Sequence, residues 1–211
     1  MPWNRPLMIG LLVVLLAATW WRLQPESGEI RRSRLLMGTV VEIVAGGEDT
    51  TKLDAAVEAA FAEMARLDQL LSRYRQGSDV SRLSQQRAGG EVAAETAEVI
   101  RLGLDVAQQS GGAFDLTLGG LKALWDFDRE TPSIPAPDTI AAALAGTGPQ
   151  ALTLEGRTIS KRLPQLKIDL GGIAKGYAVD RAIHVLKQHG ISSAAINAGG
   201  DMYLLGQRPQ R

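Results

Sequence analysis

The chain of 211 residues contains no cysteine. Disulfide bonds, thiolate catalysis, cysteine-ligated zinc and iron–sulfur clusters are therefore excluded for these residues.

An excess of either charge is also missing, because 23 basic and 23 acidic residues give a formal net charge of zero. Duplex binding normally shows a surplus or a stripe of lysine and arginine, so nucleic acid is not the expected partner.

Histidine is scarce as well, with only two residues, His184 and His189. They lie five positions apart on a predicted helix, which places them on different faces and argues against a metal-binding pair. The remaining composition is ordinary: 45% of the residues are hydrophobic and 22% are charged. That balance is sufficient for one globular core.

The N-terminus carries a hydrophobic segment. Residues 6–21 are uncharged and lie between Arg5 and Arg22. The run is shorter than the roughly 20 residues of a membrane-spanning helix and is typical of a signal-peptide core, although two tryptophans at its end resemble an interfacial anchor. We predict that residues 1–26 are a signal peptide or membrane anchor that places the protein on the periplasmic side of the inner membrane.

The rest of the chain divides into a short connection and one domain. Residues 27–34 are charged and lack apolar periodicity, so they are predicted to be a linker, and residues 35–211 to be the folded domain. Hydrophobic periodicity and turn residues predict strands at 37–44, 166–170 and 194–197, a hairpin at 151–160, and helices at 51–71, 96–110, 139–145 (capped by Asp138) and 174–188.

The most informative segment is IDLGGIAKGYAVD at residues 168–180. A predicted strand ends at Gly171 and Gly172, where the backbone can approach a ligand, and Lys175 can then place an ammonium group beside phosphate oxygens. A Walker-type loop has serine or threonine after its lysine, whereas glycine and tyrosine follow here, so a nucleoside-triphosphatase is disfavoured. The segment predicts a phosphate and metal pocket; a capped strand-to-helix turn with a solvated lysine is the structural alternative.

Five segments, taken in chain order, resemble one family. They are MGT at Met37, LSRYRQGSDVSRLS at Leu71, GGAFDLTLGGLKALWDF at Gly111, IDLGGIAKGYAVD at Ile168 and INAGGD at Ile196. Together they are similar to the FAD:protein FMN transferases, the ApbE family, from about residue 35 to residue 211. The resemblance implies an α+β fold, with a mixed sheet packed by helices in one domain.

The same resemblance implies an activity. Exported members transfer FMN from FAD to a threonine hydroxyl of a partner protein in a Mg²⁺-dependent reaction that releases AMP. The partner is expected to be a membrane-associated redox subunit. Some relatives hydrolyse FAD to FMN and AMP instead, so an FAD hydrolase and a non-catalytic FAD-binding module are the alternatives.

The resemblance also implies site residues in the first half of the domain. Met37 is expected to line the flavin pocket and Tyr74 to lie against the isoalloxazine, a contact that suits an aromatic ring. Ala113, Phe114 and Asp115 match a second FAD-contacting stretch. Without the resemblance, Tyr74 is an ordinary half-buried residue after a helix and Asp115 an ordinary helix cap.

Further site residues follow in the second half. Asp169 matches an FAD-contacting aspartate, Lys175 a residue that contacts FAD at its diphosphate, and Gly172 a backbone carbonyl ligand of Mg²⁺. Hard cations prefer such oxygen ligands. Thr117 and Trp125 match positions that we interpret as packing and support. The resemblance assigns no residue to activate the acceptor hydroxyl.

Two departures from the family pattern are visible. Gly120 stands where the family usually has proline, which implies a loss of loop rigidity. Relatives also continue well past the INAGGD segment, into a part that supplies an aspartate and a threonine to the metal. The remaining metal ligands are therefore expected beyond Arg211, and the chain is expected to be a fragment or short form without the C-terminal part.

Overall fold

A computed structural model describes residues 28–125 and 134–206 of the chain. Within these ranges the strands are β1 (Gly28–Leu36), β2 (Thr39–Gly47), β3 (Gly89–Glu91), β4 (Leu152–Glu155), β5 (Thr158–Lys161), β6 (Ser193–Ala198) and β7 (Asp201–Leu205). The helices are α1 (Thr50–Leu71), α2 (Asp79–Gln85), α3 (Ala94–Gln109), α4 (Gly119–Trp125), α5 (Pro137–Leu144) and α6 (Ala174–Gln188), with a 3₁₀ turn at Pro149–Ala151.

The larger sheet has the strand order β1-β2-β6-β7, and every neighbouring pair is antiparallel. Strand β2, one of the two central strands, alternates in burial over residues 40–45, with Val41 and Ile43 fully buried and Val40 60% exposed. The buried face is covered by α1 and α6, which pack against each other and against the sheet. One face of the sheet therefore builds the core, as expected for an antiparallel sheet.

The smaller sheet has the order β3-β5-β4 and is also antiparallel. It contains the predicted hairpin, which turns between Glu155 and Thr158. Lys161 at the end of β5 is buried, and its Nζ donates to the carbonyl oxygens of Leu83 (2.9 Å), Leu166 (3.0 Å) and Pro164 (3.1 Å). This lysine ties the end of α2 to the segment that leads towards residue 169.

The α+β class is confirmed, with two differences in the strands. Both sheets are antiparallel, where a mixed sheet is predicted. The prediction of a linker is wrong for residues 28–34, because β1 pairs with β2 along its whole length, and residue 27 lies outside the described residues. The arginines of β1 remain partly solvated and contact α1. Arg32 pairs with Asp54 of α1, and the Arg34 guanidinium lies 4.7 Å from the centre of the Phe61 ring. Long basic side chains thus cover apolar surface at a sheet edge.

Two further predictions are corrected. Residues 166–170 do not form a regular strand; a single parallel bridge joins Leu118 to Lys167, and the Asp169 amide donates to the carbonyl oxygen of Leu116. Asp138 does not cap α5, since Ala136 is the N-cap residue and makes no side-chain cap bond. The predictions of α1, α3, α6, the hairpin and β6 are confirmed to within about three residues.

The N-terminal anchor predicted at residues 1–26 lies outside the described residues. Among residues 28–125 and 134–206, no helix has both the length and the apolar character needed to cross a membrane.

Candidate functional site

Five separate parts of the chain meet at an open cavity of about 490 Å³. They are the β1–β2 turn, the end of α1 with the loop after it, α4, the segment before α6, and the first turn of α6. The cavity is lined by Met37, Gly38, Asp68, Leu71, Ser72, Arg73, Tyr74, Arg75, Lys122, Asp169, Gly171, Ala174 and Lys175.

The loop after α1 projects an aromatic ring. Ser72 ends the helix, and its carbonyl oxygen accepts a 2.6 Å hydrogen bond from the Ser78 hydroxyl, which also caps α2 by accepting from the Ser81 amide. This bond closes the loop and leaves Tyr74 74% exposed. The Arg73 guanidinium lies 4.6 Å from the ring centre, so one face of the ring is covered while the side chain remains accessible.

Asp169 is the charged centre of the cavity. Its side chain is 11% exposed, and Oδ1 accepts a 2.8 Å hydrogen bond from the Gly171 amide. Oδ2 lies 3.0 Å from Lys122 Nζ and 3.2 Å from Arg73 Nη1. Burial on its own raises the pKa of Asp169, but the Gly171 amide and the Lys122 and Arg73 charges outweigh burial and hold the pKa below its ordinary value.

The contacts around Asp169 leave hydrogen-bonding capacity unused. Oδ2 is buried, and its charge is compensated by the ion pairs with Lys122 and Arg73. The Nε atom of Arg73 is buried without a hydrogen-bond partner. A buried donor without a partner is uncommon in folded proteins, and a ligand that accepts a hydrogen bond from Arg73 Nε would satisfy it.

A second carboxylate, Asp68, lies in the last turns of α1. It is 6% exposed and holds Arg75 through two contacts, 2.8 Å to Nε and 2.6 Å to Nη2. This paired geometry fixes the guanidinium at the cavity wall.

The N-terminus of α6 contributes a positive electrostatic field. Its N-cap residue, Ile173, makes no side-chain cap bond, and its first turn contains no acidic residue. Ala174 and Lys175 face the cavity, and Lys175 Nζ lies 3.5 Å from Asp201 Oδ2 at the start of β7. The amides of Ile173 and Ala174 both donate to the Leu170 carbonyl oxygen, so the favourable term for an anion at this terminus is the helix dipole.

The β1–β2 turn forms another wall. Met37 adopts a φ of 52° and Gly38 a φ of 72°. Leu36 pairs with Thr39, so Met37 and Gly38 form a two-residue hairpin turn, and a type I′ turn requires a positive φ at both positions. The turn directs Met37 towards the cavity, where the family resemblance predicts a flavin contact.

The predicted stretch Ala113, Phe114 and Asp115 is not among the described residues that line this cavity. Asp115 Oδ1 instead accepts hydrogen bonds from the amide (2.7 Å) and the hydroxyl (2.6 Å) of Thr117, which is 2% exposed. Phe114 packs next to Gly172, where an added Cβ would lie 3.0 Å from the ring. The stretch thus adjoins residue 172, and its predicted FAD contacts stay predictions.

The described residues contain no cluster of three or more histidine, aspartate or glutamate side chains suited to a metal ion. The two histidines are exposed at the end of α6. For Mg²⁺, the described part of the predicted site offers the carbonyl oxygen of Gly172, which by itself is not a closed set of ligands.

Four charged lining residues were not predicted from the sequence: Asp68, Arg73, Arg75 and Lys122. Asp68 had a detectable signal, because a carboxylate stands on the buried stripe of α1 between Met64 and Leu71. The two arginines flank Tyr74 directly. Lys122 had no detectable signal in the sequence, because it lies near Asp169 only through tertiary packing.

Comparisons with known proteins place this geometry in context. The chain is 31% identical over 186 residues to an FAD:protein FMN transferase of Vibrio cholerae serotype O1, covering 84% of this chain and 55% of that protein. It is 28% identical to the Haemophilus influenzae protein of the same name, covering 96% of this chain and 62% of that one. The chain thus spans little more than half the length of these relatives.

Solved structures agree. The flavin transferase ApbE of Vibrio cholerae superposes with a TM-score of 0.77 at 30% identity, covering 87% of this chain and 61% of that one. The apo flavinyl transferase ApbE of Pseudomonas stutzeri gives a TM-score of 0.76 at 32% identity, covering 87% and 59%. The family model for the ApbE family matches residues 37–211. Sequence, fold and family model together show that this chain belongs to the ApbE family.

Proposed function

We propose that the protein is an FAD:protein FMN transferase, which binds FAD in the cavity and transfers FMN to a hydroxyl group of an acceptor protein. The observation that carries this proposal is the cluster of basic side chains around Asp169, next to the accessible ring of Tyr74. Four basic and two acidic residues line the cavity, although the whole chain has zero net charge. A local positive excess beside an aromatic ring suits a dinucleotide that combines a diphosphate with a flavin.

The reaction is a phosphoryl-group transfer. The acceptor oxygen forms a bond to the FMN phosphorus, the bond from that phosphorus to the bridging oxygen breaks, and AMP leaves with the electron pair while the hydroxyl loses its proton. Negative charge builds on the departing phosphate. In this proposal Lys175, together with the N-terminus of α6, which has no side-chain cap, would stabilise that charge.

Mg²⁺ and the nature of the acceptor are part of the proposal. Gly172 would supply one oxygen ligand and the phosphates of FAD others, and the ion would neutralise charge on the diphosphate. The acceptor would be a membrane-associated redox protein that carries a reactive threonine. The apolar run at residues 6–21 supports export to, or anchoring at, the periplasmic side of the inner membrane.

The test incubates the full chain with FAD, MgCl₂ and an acceptor protein that the Vibrio cholerae relative flavinylates. We expect in-gel flavin fluorescence on the acceptor and release of AMP in equal amount. An acceptor with alanine in place of its target threonine is the matched control and should remain dark. FMN and AMP without labelling would identify an FAD hydrolase, and bound FAD without AMP would identify a non-catalytic binding module.

A further inference from the structure

The exposed lysine of α4 belongs to the basic cluster around Asp169 but is not among the FAD-contacting residues that the family resemblance implies. Lys122 lies on a seven-residue helix, and its Nζ reaches 3.0 Å from Asp169 Oδ2. The same atom lies 3.7 Å from the position that a Cβ would occupy on Gly171. The ammonium group therefore stands directly over the turn at residues 169–171, which opens the predicted diphosphate segment.

The charge balance around this turn is positive. Asp169 carries one negative charge, whereas Lys122 and Arg73 both lie within ion-pair distance of the same oxygen. The Lys122 side chain is 47% exposed and lines the cavity. An ammonium group has three donors, and one carboxylate oxygen does not use all of them.

We propose that Lys122 binds the diphosphate of FAD and makes the site selective for the dinucleotide over riboflavin. The inference rests on the proposed FAD site. In the absence of substrate, Asp169 holds Lys122 beside residue 171; with substrate, phosphate oxygens take up the remaining donors of the ammonium group. A charge-assisted hydrogen bond of this kind is stronger than one between neutral groups.

A purely structural role for Lys122 predicts a different outcome. If the lysine only neutralises Asp169, its removal weakens anion binding solely because the carboxylate becomes uncompensated. Replacing Asp169 with asparagine would then cancel the effect of removing Lys122. A double-mutant cycle separates the two roles, because direct binding persists when the carboxylate is absent.

The experiment measures ADP binding by calorimetry, and riboflavin and FAD binding by flavin fluorescence, on the full chain. We expect Lys122→Met to weaken ADP and FAD binding about tenfold and to leave riboflavin binding unchanged. Lys122→Arg should restore most of the ADP affinity. Lys52→Met removes an exposed lysine outside the cavity and is the matched control, with no expected change in either affinity.

The decisive comparison is Lys122→Met made in the Asp169→Asn background. A further loss of ADP affinity of about tenfold supports direct binding, whereas no further loss overturns the proposal. Equal weakening of riboflavin and ADP binding would overturn it too. If the unmodified chain binds neither FAD nor ADP, the proposed function itself fails; if it binds FAD and Lys122→Met binds equally well, only this inference fails.

Discussion

Tyr74 illustrates how a single residue can be prominent in the site and unimportant for the fold. Its side chain is 74% exposed, yet the loop that carries it is fixed by the hydrogen bond from Ser78 to the Ser72 carbonyl. Burial tendencies alone favour a half-buried tyrosine at this position. The observed exposure instead leaves a large apolar surface for a planar ligand, which is the arrangement that stacking requires.

We predict that Tyr74→Ala weakens both FAD and riboflavin binding by about three- to tenfold, because stacking acts on the flavin rather than on the phosphates. The free energy of unfolding should change by no more than about 0.5 kcal/mol, as for other surface substitutions. Flavin fluorescence titration and urea denaturation measure the two effects. Tyr74→Phe keeps the ring and is the control; if it binds flavin as weakly as Tyr74→Ala, stacking is not the role of this residue.

At the scale of elements, α4 is held against the segment before α6 by a close backbone approach. The Gly119 amide donates to the carbonyl oxygen of Lys167 at 3.2 Å. A Cβ on Gly119 would lie 2.8 Å from that oxygen and 3.0 Å from the carbonyl oxygen of Ile168. The contact sets the position of Lys122 relative to Asp169.

Gly119→Ala should therefore force these two segments apart and lower the free energy of unfolding by about 1–3 kcal/mol. It should also weaken FAD binding, since the movement separates the two sides of the cavity. Gly120→Ala is a matched control, because no atom lies within 4 Å of an added Cβ there. Urea denaturation of both variants tests the prediction, and equal stability would refute the close-contact argument.

Helices α1, α3 and α6 are also joined by charge. Glu63 of α1 contacts Arg66 at 2.8 Å and Arg181 of α6 at 3.4 Å, and Arg66 reaches Glu95 of α3 at 2.6 Å. The hydrogen bond from Arg66 lowers the pKa of Glu63; burial opposes this, and the Arg181 charge reinforces it. The network bridges the exposed sides of the helices that cover the larger sheet.

Because the pKa of Glu63 is lowered in the folded state, its contribution to the free energy of unfolding depends on pH. The stabilisation from Glu63 should be fully present above its ordinary pKa of 4.5 and be lost as the pH falls through the lower value of the folded state. Glu63→Gln should cost about 1 kcal/mol or less at pH 7 and reduce the pH dependence of unfolding below pH 4.5. Urea denaturation from pH 7 to pH 3 measures it, with Glu155→Gln on the exposed side of β4 as the control; parallel curves for Glu63→Gln and the unmodified chain would contradict the assignment.

For the molecule as a whole, the site assembles parts of the chain that are far apart in sequence. Met37, Tyr74, Lys122 and Lys175 come from four different segments, and the sheet and helices bring them to one cavity. A ligand that bridges these segments should stabilise them together.

We predict that FAD slows amide hydrogen exchange in the turn at residues 37–38, the loop at 72–75 and the segment at 169–175. The smaller sheet, β3-β5-β4, should exchange at the same rate with and without FAD, because its strands do not line the cavity. Mass spectrometry of exchanged peptides measures this, and riboflavin serves as the control ligand, with protection expected at 72–75 but not at 169–175. Protection confined to the smaller sheet would place the FAD site elsewhere.

Much of the fold follows from local pattern. The apolar stripe of α1 repeats every 3.6 residues, and a glycine follows the end of α6. Both signals act within a few residues, so the sequence predicts both helices with nearly correct limits. β1 was not predicted, because a run of arginines is also typical of a solvated linker. The strand forms by pairing with β2, and its arginines form ion pairs with Asp54 and Glu58 of α1. Pairing between segments leaves little trace in composition.

Contiguous motifs encode local backbone geometry and side-chain chemistry. The family could therefore be recognised, and Tyr74, Asp169 and Lys175 predicted as site residues, from the amino-acid sequence. Two features could be seen only in the folded chain: Lys122 and Arg73 both pair with Oδ2 of Asp169, and Asp115 accepts hydrogen bonds from Thr117 outside the lining of the cavity. Ion pairs between distant segments arise from packing, and no spacing along the chain records them.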